Sequence, residues 1–389
     1  MIKVGVVGAG AMGSGIAQVA LRNGHEVVLA DVESEAVQRA VQVIENALAR
    51  DVDKGRLTSD DTAIIRRRLA TSTLPLGLAD FAGCGLVVEA IVEGLEAKQS
   101  LFRALEGVVD SDCTLATNTS SLSVTSIASA CAAPQRVVGM HFFNPAPVMP
   151  LVEIIPGAQT SPDITSATKA LADGWGKVTV LATDSPGFIV NRVARPFYGE
   201  SLRMLEEGVA DAPTIDWAMR ESGGFRMGPF LLMDFIGHDV NYAVTESVWR
   251  ATYYDARYRP SITQRRLVEA GWLGRKTGRG FYDYGPDAAP RPATEDRALA
   301  ESIVTRIVAM LVNEAVDVVH WRIASPADVD LAMTKGVNYP KGPLAWGNEL
   351  GLDRVLGEIQ RLRDETDDDR YRPSPLLRRM VREGRRFFA

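Results

Sequence analysis

Short apolar runs alternate with helically spaced segments through the first half of the chain. Val4 to Val7 form the first run, and Ile16, Val19 and Ala20 then recur at the spacing of one helix face. A second run, "EVVLAD", ends on Asp31. Farther on, "GLVVEAIVE", "TLATNTSSLS" and "RVVGMHFF" each carry a short apolar core that gives way to polar residues. Strands alternating with helices predict an α/β fold built on a doubly wound parallel sheet. Ligands of such sheets lie beyond the carboxyl ends of the strands, where Glu89, Glu93, Asn118, Ser120 and His141 fall.

The second half has helical patterning and repeats itself. At an offset of 114 residues "IDWAM" at 215 meets "VDLAM" at 329, "RMGPF" at 226 meets "PKGPL" at 340, and "GHD" at 237 meets "GLD" at 351. At 113, "YRPS" at 258 meets "YRPS" at 371, and "RRLVEAG" at 265 meets "RRMVREG" at 378. The pattern predicts three domains: residues 1–185, then two all-α helical domains, 186–284 and 296–389, related by internal duplication. The Pro- and Ala-rich "GPDAAPRPATED" links the last two. The second copy ends at "VREGRRFFA" and lacks the Lys-Thr-Gly segment of the first. Within "DSPGFIVNR", Ser185 as N-cap and Pro186 as first helical residue predict a helix in which Asn191 lies about one and a half turns in.

Composition narrows what the fold can do. With 46% hydrophobic and 24% charged residues over 389 positions the chain has material for sizeable cores, and disorder is excluded as its main state. A net charge of -6 argues against a nucleic-acid surface, so an anionic ligand needs a local cluster of Lys and Arg. Cys84, Cys113 and Cys131 have no metal-ligand spacing and cannot all pair with one another, which fits a reducing compartment and no metal site. The chain opens directly on its first strand, with no signal-like leader and no run of ~18 apolar residues, so a cytoplasmic protein is expected.

The most specific local chemistry lies in "VGVVGAGAMGSGIA". Gly8 makes a tight turn, Gly10 lets the backbone approach a pyrophosphate, and Gly13 lets helix and strand pack closely, with Ala11 and Met12 opening the helix toward the phosphates. Asp31 ends the next strand, where it accepts hydrogen bonds from ribose hydroxyls. A carboxylate there repels a 2′-phosphate and no arginine adjoins it, so NAD is preferred to NADP; the motif alone leaves FAD open.

Together "GAGAMGSGIA", "VVEAIVE", "NTSSL", "HFFNPAPVMPLVEII" and "DSPGFIVNR", in this order, resemble the NAD-dependent (S)-3-hydroxyacyl-CoA dehydrogenases over roughly residues 1–284. The tandem C-terminal arrangement resembles the members that act on 3-hydroxyadipyl-CoA and 3-hydroxybutyryl-CoA. The resemblance implies a Rossmann-like N-terminal domain, His141 as general base, Glu153 as its carboxylate partner, and Ser120 and Asn191 near the substrate oxygen. It implies cofactor contacts at Glu93, Lys98, Ser120, Asn144 and Lys276, and a coenzyme A contact at Lys54, while Ala47 stands where the family can have a serine. Imidazole suits the role of base because its ordinary pKa is near neutrality, and a carboxylate on the other ring nitrogen fixes its tautomer. Glu89 reads equally as a strand-end carboxylate only. A dicarboxylic acyl chain calls for a distal cation, for which Arg195, Arg203 and Arg226 are candidates, though each also reads as a surface residue. The second helical copy implies an intramolecular pseudo-dimer, with a homodimer as alternative. Rival functions are a β-hydroxyacid dehydrogenase acting on a free acid and a non-catalytic NAD-binding protein.

Overall fold

The apolar runs of the first half form one eight-stranded sheet. Its strands are β1 (Lys3–Val7), β2 (Glu26–Asp31), β3 (Leu69–Thr73), β4 (Leu86–Glu89), β5 (Thr114–Thr117), β6 (Val137–Phe142), β7 (Leu151–Pro156) and β8 (Val178–Leu181). They lie in the order β3-β2-β1-β4-β5-β6-β7-β8 in a computed structural model that describes residues 1–289 and 291–388. Alternate residues of β1, β2 and β4 feed two cores: Val4, Val6, Val27, Leu29, Leu86 and Val88 on one face, Val7, Val28, Ala30 and Val87 on the other. Burial on both faces explains why these strands read as continuous apolar runs rather than alternating ones.

One pairing departs from the expected parallel sheet. β6 and β7 are antiparallel, whereas all other neighbours are parallel. Only residues 143–150 connect them. A parallel connection needs a crossover of a dozen or more residues, so this segment returns the chain alongside the strand it has just left.

The chain divides into two compact units, Met1–Ser185 and Pro186–Ala389, and both predicted helical segments fall in the second. The helix expected at Ser185 starts later. Gly187 and Phe188 have φ of +76° and +45°, left-handed values that no helix continues through, and the helix proper is Val190–Val193. Asn191 is therefore its second residue. No helix among the described residues is long and apolar enough to cross a membrane.

Inside the second unit, contacts recur at the offset seen in the sequence. Asp216 accepts the N–H groups of Phe230 and Leu231 at 2.8 and 2.9 Å, and Asp330 accepts those of Leu344 and Ala345, both at 2.8 Å. In each case a buried or half-buried carboxylate caps the helix that begins Gly-Pro. Buried ion pairs recur reciprocally: Glu314 takes Arg192 at 2.8 Å, Arg257 at 3.1 Å and the Tyr258 hydroxyl, while Glu200 takes Arg306 at 3.0 Å, Arg370 at 3.7 Å and the Tyr371 hydroxyl at 2.9 Å. At the rim Arg259 reaches Asp368 at 3.0 Å and Arg372 reaches Asp255 at 2.9 Å. The C-terminal "RRFF" also has a counterpart, since Asn348 accepts from the Phe387 N–H and donates to the Phe388 carbonyl, as Asp234 accepts from the N–H groups of Phe281 and Tyr282.

Glu314 is sensitive to mutation, because two guanidinium groups pair with it. Glu314→Gln lowers the unfolding free energy by about 3–5 kcal/mol, the cost of leaving buried charge uncompensated, read as a lower urea midpoint. Glu246→Gln, which breaks the surface pair with Arg250, moves that midpoint little. Equal shifts would show that the buried pairs do not hold the unit together.

Candidate active site

Every local feature of the glycine turn serves an open helix terminus. Gly8 has φ of +103°, and its N–H donates to the Ala30 carbonyl at 2.8 Å. A Cβ on Gly13 would stand 1.7 Å from the Gly8 carbonyl oxygen, so only glycine lets helix α1 (Ala11–Arg22) lie this close to the strand end. A Cβ on Gly10 would meet nothing within 4 Å, because that side of the backbone faces the cleft. Helix α1 has no side-chain N-cap and no acidic residue in its first turn among the described residues, so the first N–H groups, those of Ala11 and Met12 included, are available to an anion. Asp31, at the end of β2, accepts the Ala9 N–H at 2.7 Å and the Glu33 N–H at 3.1 Å. These residues fit the pyrophosphate and ribose of a dinucleotide, at the β1/β4 boundary where the strand order reverses.

A cleft of about 960 Å³ runs from Gly10, Ala11 and Asn144 to Arg50, Lys54 and Arg56. Helix α2 (Ser34–Asp53) supplies its far wall, and Lys54 follows the last turn of that helix, exposed. Ala47 lines the same wall. Asp51 is paired with Arg22 and with Arg56 at 3.5 Å, whereas no ion pair ties Arg50 or Lys54 among the described residues. That end of the cleft is cationic in a chain whose net charge is negative.

Beyond β4 and β5 lies a carboxylate–ammonium chain that runs from the interior to the surface. Lys98 is 1% exposed and sits between Glu89 at 2.5 Å and Glu93 at 3.2 Å. Glu89, fully buried, also takes the Thr117 hydroxyl at 2.7 Å and the Ile91 N–H at 2.8 Å. Glu93 accepts the Thr119 hydroxyl at 2.6 Å and the N–H groups of Ser120 and Ser121 at 2.9 and 3.2 Å. Burial opposes the charged form of Glu93, but Lys98 and these donors outweigh it and hold the carboxyl below its usual range. The spacing of 89, 93 and 98 gives no sequence signal for this contact; Glu89 was placed at a ligand-facing strand end but read equally as a strand-end carboxylate only, and Thr119 did not stand out. The structure makes both part of the frame behind Ser120.

His141 and Glu153 are directly opposed on the β6/β7 ladder. Nδ1 of His141 lies 2.6 Å from Oε2 of Glu153, and the residues are 6% and 0% exposed. Phe143 packs on the imidazole with ring centroids 4.5 Å apart. Asn118, at the end of β5, accepts the Phe142 N–H at 2.8 Å and ties the "NTSS" loop to the strand that carries the histidine. In the second unit, the Asn191 carbonyl accepts from Arg195 Nε at 2.8 Å, and Lys276 makes a two-point ion pair with Asp239 at 2.6 and 2.7 Å.

Such a sheet edge can hold a dinucleotide and move a proton close by, which is the work of an oxidoreductase of the dehydrogenase class. Family comparison carries this further. Residues 3–185 match the profile described as 3-hydroxyacyl-CoA dehydrogenase, NAD binding domain, and residues 187–284 and 303–386 match that of the 3-hydroxyacyl-CoA dehydrogenase C-terminal domain. The chain belongs to the 3-hydroxyacyl-CoA dehydrogenase family and is an NAD-dependent oxidoreductase. It is 37% identical to the 3-hydroxyadipyl-CoA dehydrogenase of Escherichia coli K12, over 96% of both chains. It is 43% identical to a probable 3-hydroxybutyryl-CoA dehydrogenase of Deinococcus radiodurans, which covers 73% of this chain and 100% of that one. Its structure is similar to that of a 3-hydroxybutyryl-CoA dehydrogenase from Escherichia coli K12, with a TM-score of 0.92 at 36% identity over 98% of this chain and 99% of the other.

Replacing Lys98 by Met leaves Glu89 and Glu93 without their buried cation. Stability falls by about 3–5 kcal/mol, read by urea unfolding, and NADH binds more weakly in a fluorescence titration. Because the Glu93 carboxyl is held below its usual range, its share of the stability is present above that range and lost as pH falls through the depressed value; the variant loses less on acidification. An unchanged NADH affinity in folded variant would show that the chain does not shape the site.

Proposed function

We propose that the protein oxidises the C3 hydroxyl of short-chain (S)-3-hydroxyacyl-CoA esters, of the 3-hydroxybutyryl or the dicarboxylic 3-hydroxyadipyl kind, to 3-oxoacyl-CoA. The observation that carries this reading is the 2.6 Å contact between His141 and Glu153. Glu153 engages Nδ1, which assigns proton exchange with the substrate to Nε2, and it stabilises the imidazolium that forms. His141 takes the C3 hydroxyl proton as the C3 hydride departs. Bound NAD supplies the hydride acceptor. Ser120, aligned through Glu93, and Asn191 hydrogen-bond the developing carbonyl oxygen. The N–H groups at Gly10, Ala11 and Met12 face the pyrophosphate, Gly8 and Gly13 shape that turn, and Asp31 takes the ribose. Asn144 lines the cofactor end of the cleft. Lys98 acts through Glu93, and Lys276 is a cofactor contact when it leaves Asp239. Lys54 receives a phosphate of coenzyme A, with Arg50 nearby in place of the contact that Ala47 cannot make.

The second unit is read as a duplicated helical domain, copies 186–284 and 296–389, forming a pseudo-dimer within one chain. The reciprocal Arg–Glu and Tyr–Glu pairs support this, since an isologous interface repeats each contact with the copies exchanged. Sedimentation at micromolar concentration then gives a monomer; a tight dimer would favour ordinary homodimerisation instead. Three free, buried cysteines suit a cytoplasmic enzyme, and burial raises Cys84 and Cys131 to about 11 and Cys113 to about 12, which keeps them unreactive.

The deciding experiment is NADH oxidation with acetoacetyl-CoA against free acetoacetate. Turnover of the thioester with little of the acid is expected, and His141→Gln lowers kcat by about 10²–10⁴-fold. In the forward direction the rate rises toward alkaline pH, as a general base requires, while reduction is favoured toward acid. Turnover of the free acid alone, or an undiminished variant, would overturn the reading.

A further inference from the structure

Arg195, expected on the surface, is 6% exposed at the start of the helix Arg195–Glu206. Its Nε donates to the Asn191 carbonyl at 2.8 Å, and its Nη1 to the Thr245 hydroxyl at 2.8 Å and the Asn241 carbonyl at 3.5 Å. The guanidinium lies over the Tyr198 ring, 4.9 Å from its centroid. All of these partners are neutral, and among the described residues Arg195 forms no ion pair.

The surroundings make that isolation informative. Arg195 lines a cavity of about 320 Å³ with four other arginines, and each of those has a carboxylate. Arg203 has Glu207 and Asp368 at 2.9 and 3.0 Å, Arg259 has Asp368 at 3.0 Å, Arg370 has Glu200 at 3.7 Å, and Arg257 has Glu314 and Asp317. The lining carboxylate Glu206 is turned to the Ser261 hydroxyl at 2.6 Å and the Thr263 N–H at 3.3 Å. The three cations considered for a dicarboxylic chain thus separate: Arg226 is exposed, Arg203 is neutralised, and Arg195 is buried with its charge unmet. Desolvation lowers its hold on the proton. A buried charge without a counter-charge is costly, and that cost is recovered when an anion arrives. A guanidinium fork matches a carboxylate in particular.

We propose that Arg195 is a specificity-determining residue that binds the terminal carboxylate of a dicarboxylic chain, that of the acyl group of the substrate. This deepens, and rests on, the dehydrogenase reading. Its place fits such a role, since it lies four positions after Asn191, whose helix ends at Val193, and Ala194 between the two helices keeps an αR conformation, so the separation is about 6 Å of helical rise. In a six-carbon dicarboxylic chain three bonds of about 1.5 Å each separate C3 from the terminal carboxyl carbon. A group at the C3 oxygen and a group at the far carboxylate are therefore needed about one helical turn apart.

The test compares kcat/KM for 3-hydroxyadipyl-CoA and 3-hydroxyhexanoyl-CoA, equal in chain length and different in the terminal carboxylate. In Arg195→Met the adipyl-to-hexanoyl ratio falls about ten- to hundredfold, the usual worth of a charged hydrogen-bonded pair, and Arg195→Lys recovers part of it. The lysine variant also serves if the methionine variant does not fold, as judged by its melting profile. Free adipate forms the other arm, through its protection against thermal unfolding. Adipate protection lost in both variants with an unchanged substrate ratio assigns the site to a free dicarboxylate and overturns the substrate assignment. An equal loss on both esters, or no change in either arm, overturns the carboxylate site altogether. Failure of the wild-type protein on both esters would instead be a failure of the dehydrogenase reading.

Discussion

The short return between Phe142 and Leu151 is the constraint on which the site depends. Because β7 runs back along β6, Glu153 lies directly opposite His141, and residues so paired project from the same face of a sheet. A slip of one residue would turn Glu153 to the opposite face and leave each group buried alone. Several contacts hold the register. Gly139 faces Ile155 where a Cβ would come within 2.9 Å of the isoleucine, so a larger residue would push the strands apart next to the pair. Lys177 ties down the connecting loop by donating to the carbonyls of Ala146 and Met149 at 2.5 and 2.9 Å. Burial of the two strands then keeps water away from an imidazole–carboxylate contact that would be worth far less in solvent.

What the sequence made legible is what residue type alone decides. The glycine turn was readable because Gly8 and Gly13 answer to steric demands that other residues cannot meet, and the structure shows both, while Gly10 faces open space. The direction of β7 was not readable from apolar patterning, which is the same for parallel and antiparallel strands; only the length of the connection carries it. β3 gave little signal because three of its five positions are exposed and its apolar content is one leucine and one alanine. The helix expected at Ser185 looked complete, with a cap and a proline, yet the left-handed Gly187 and Phe188 delay it. Glu89, Lys98 and Glu93 meet through a strand end, a loop and a helix, a geometry with no periodicity in sequence. For that reason Lys98 reads from the sequence as a ligand-facing lysine, while the folded chain spends its charge on two carboxylates.

The second unit was legible in a different way, since its self-similarity is a property of two segments compared with each other. Aligned residues such as Asp216 and Asp330 make the same capping contacts, and Glu200 and Glu314 occupy matching places in reciprocal ion pairs. The match is not perfect. Asp317 stands at the offset position of Arg203, so one half adds a second carboxylate to Arg257 while the other spends its arginine on Glu207 and Asp368. Under the duplication proposed above, an exact two-fold surface would repeat the same charge at such positions, whereas a single chain holding both segments is free to make them complementary. The Phe387–Phe388 stretch shows the same freedom. It keeps the docking seen for Phe281 and Tyr282 while the intervening Lys-Thr-Gly loop is absent.

Charge satisfaction links the two units of the chain without reference to how they meet. Several carboxylates in both are answered by cations: buried Glu89 and more exposed Glu93 by Lys98, Glu200 by Arg306, Glu314 by Arg192 and Arg257. Groups satisfied in this way have little left to offer a ligand, because exchanging one partner for another gains only the difference between two similar interactions. Groups left able to take a charged ligand are those whose partners are incomplete or neutral. The first turn of α1 is one case, with N–H groups that no side chain caps among the described residues. Arg195 is another, held by two carbonyls, a hydroxyl and a ring, none of which cancels its charge. A fold that neutralises four arginines around one cavity has the means to neutralise a fifth. Leaving it charged costs stability, and binding a carboxylate there is the event that returns it.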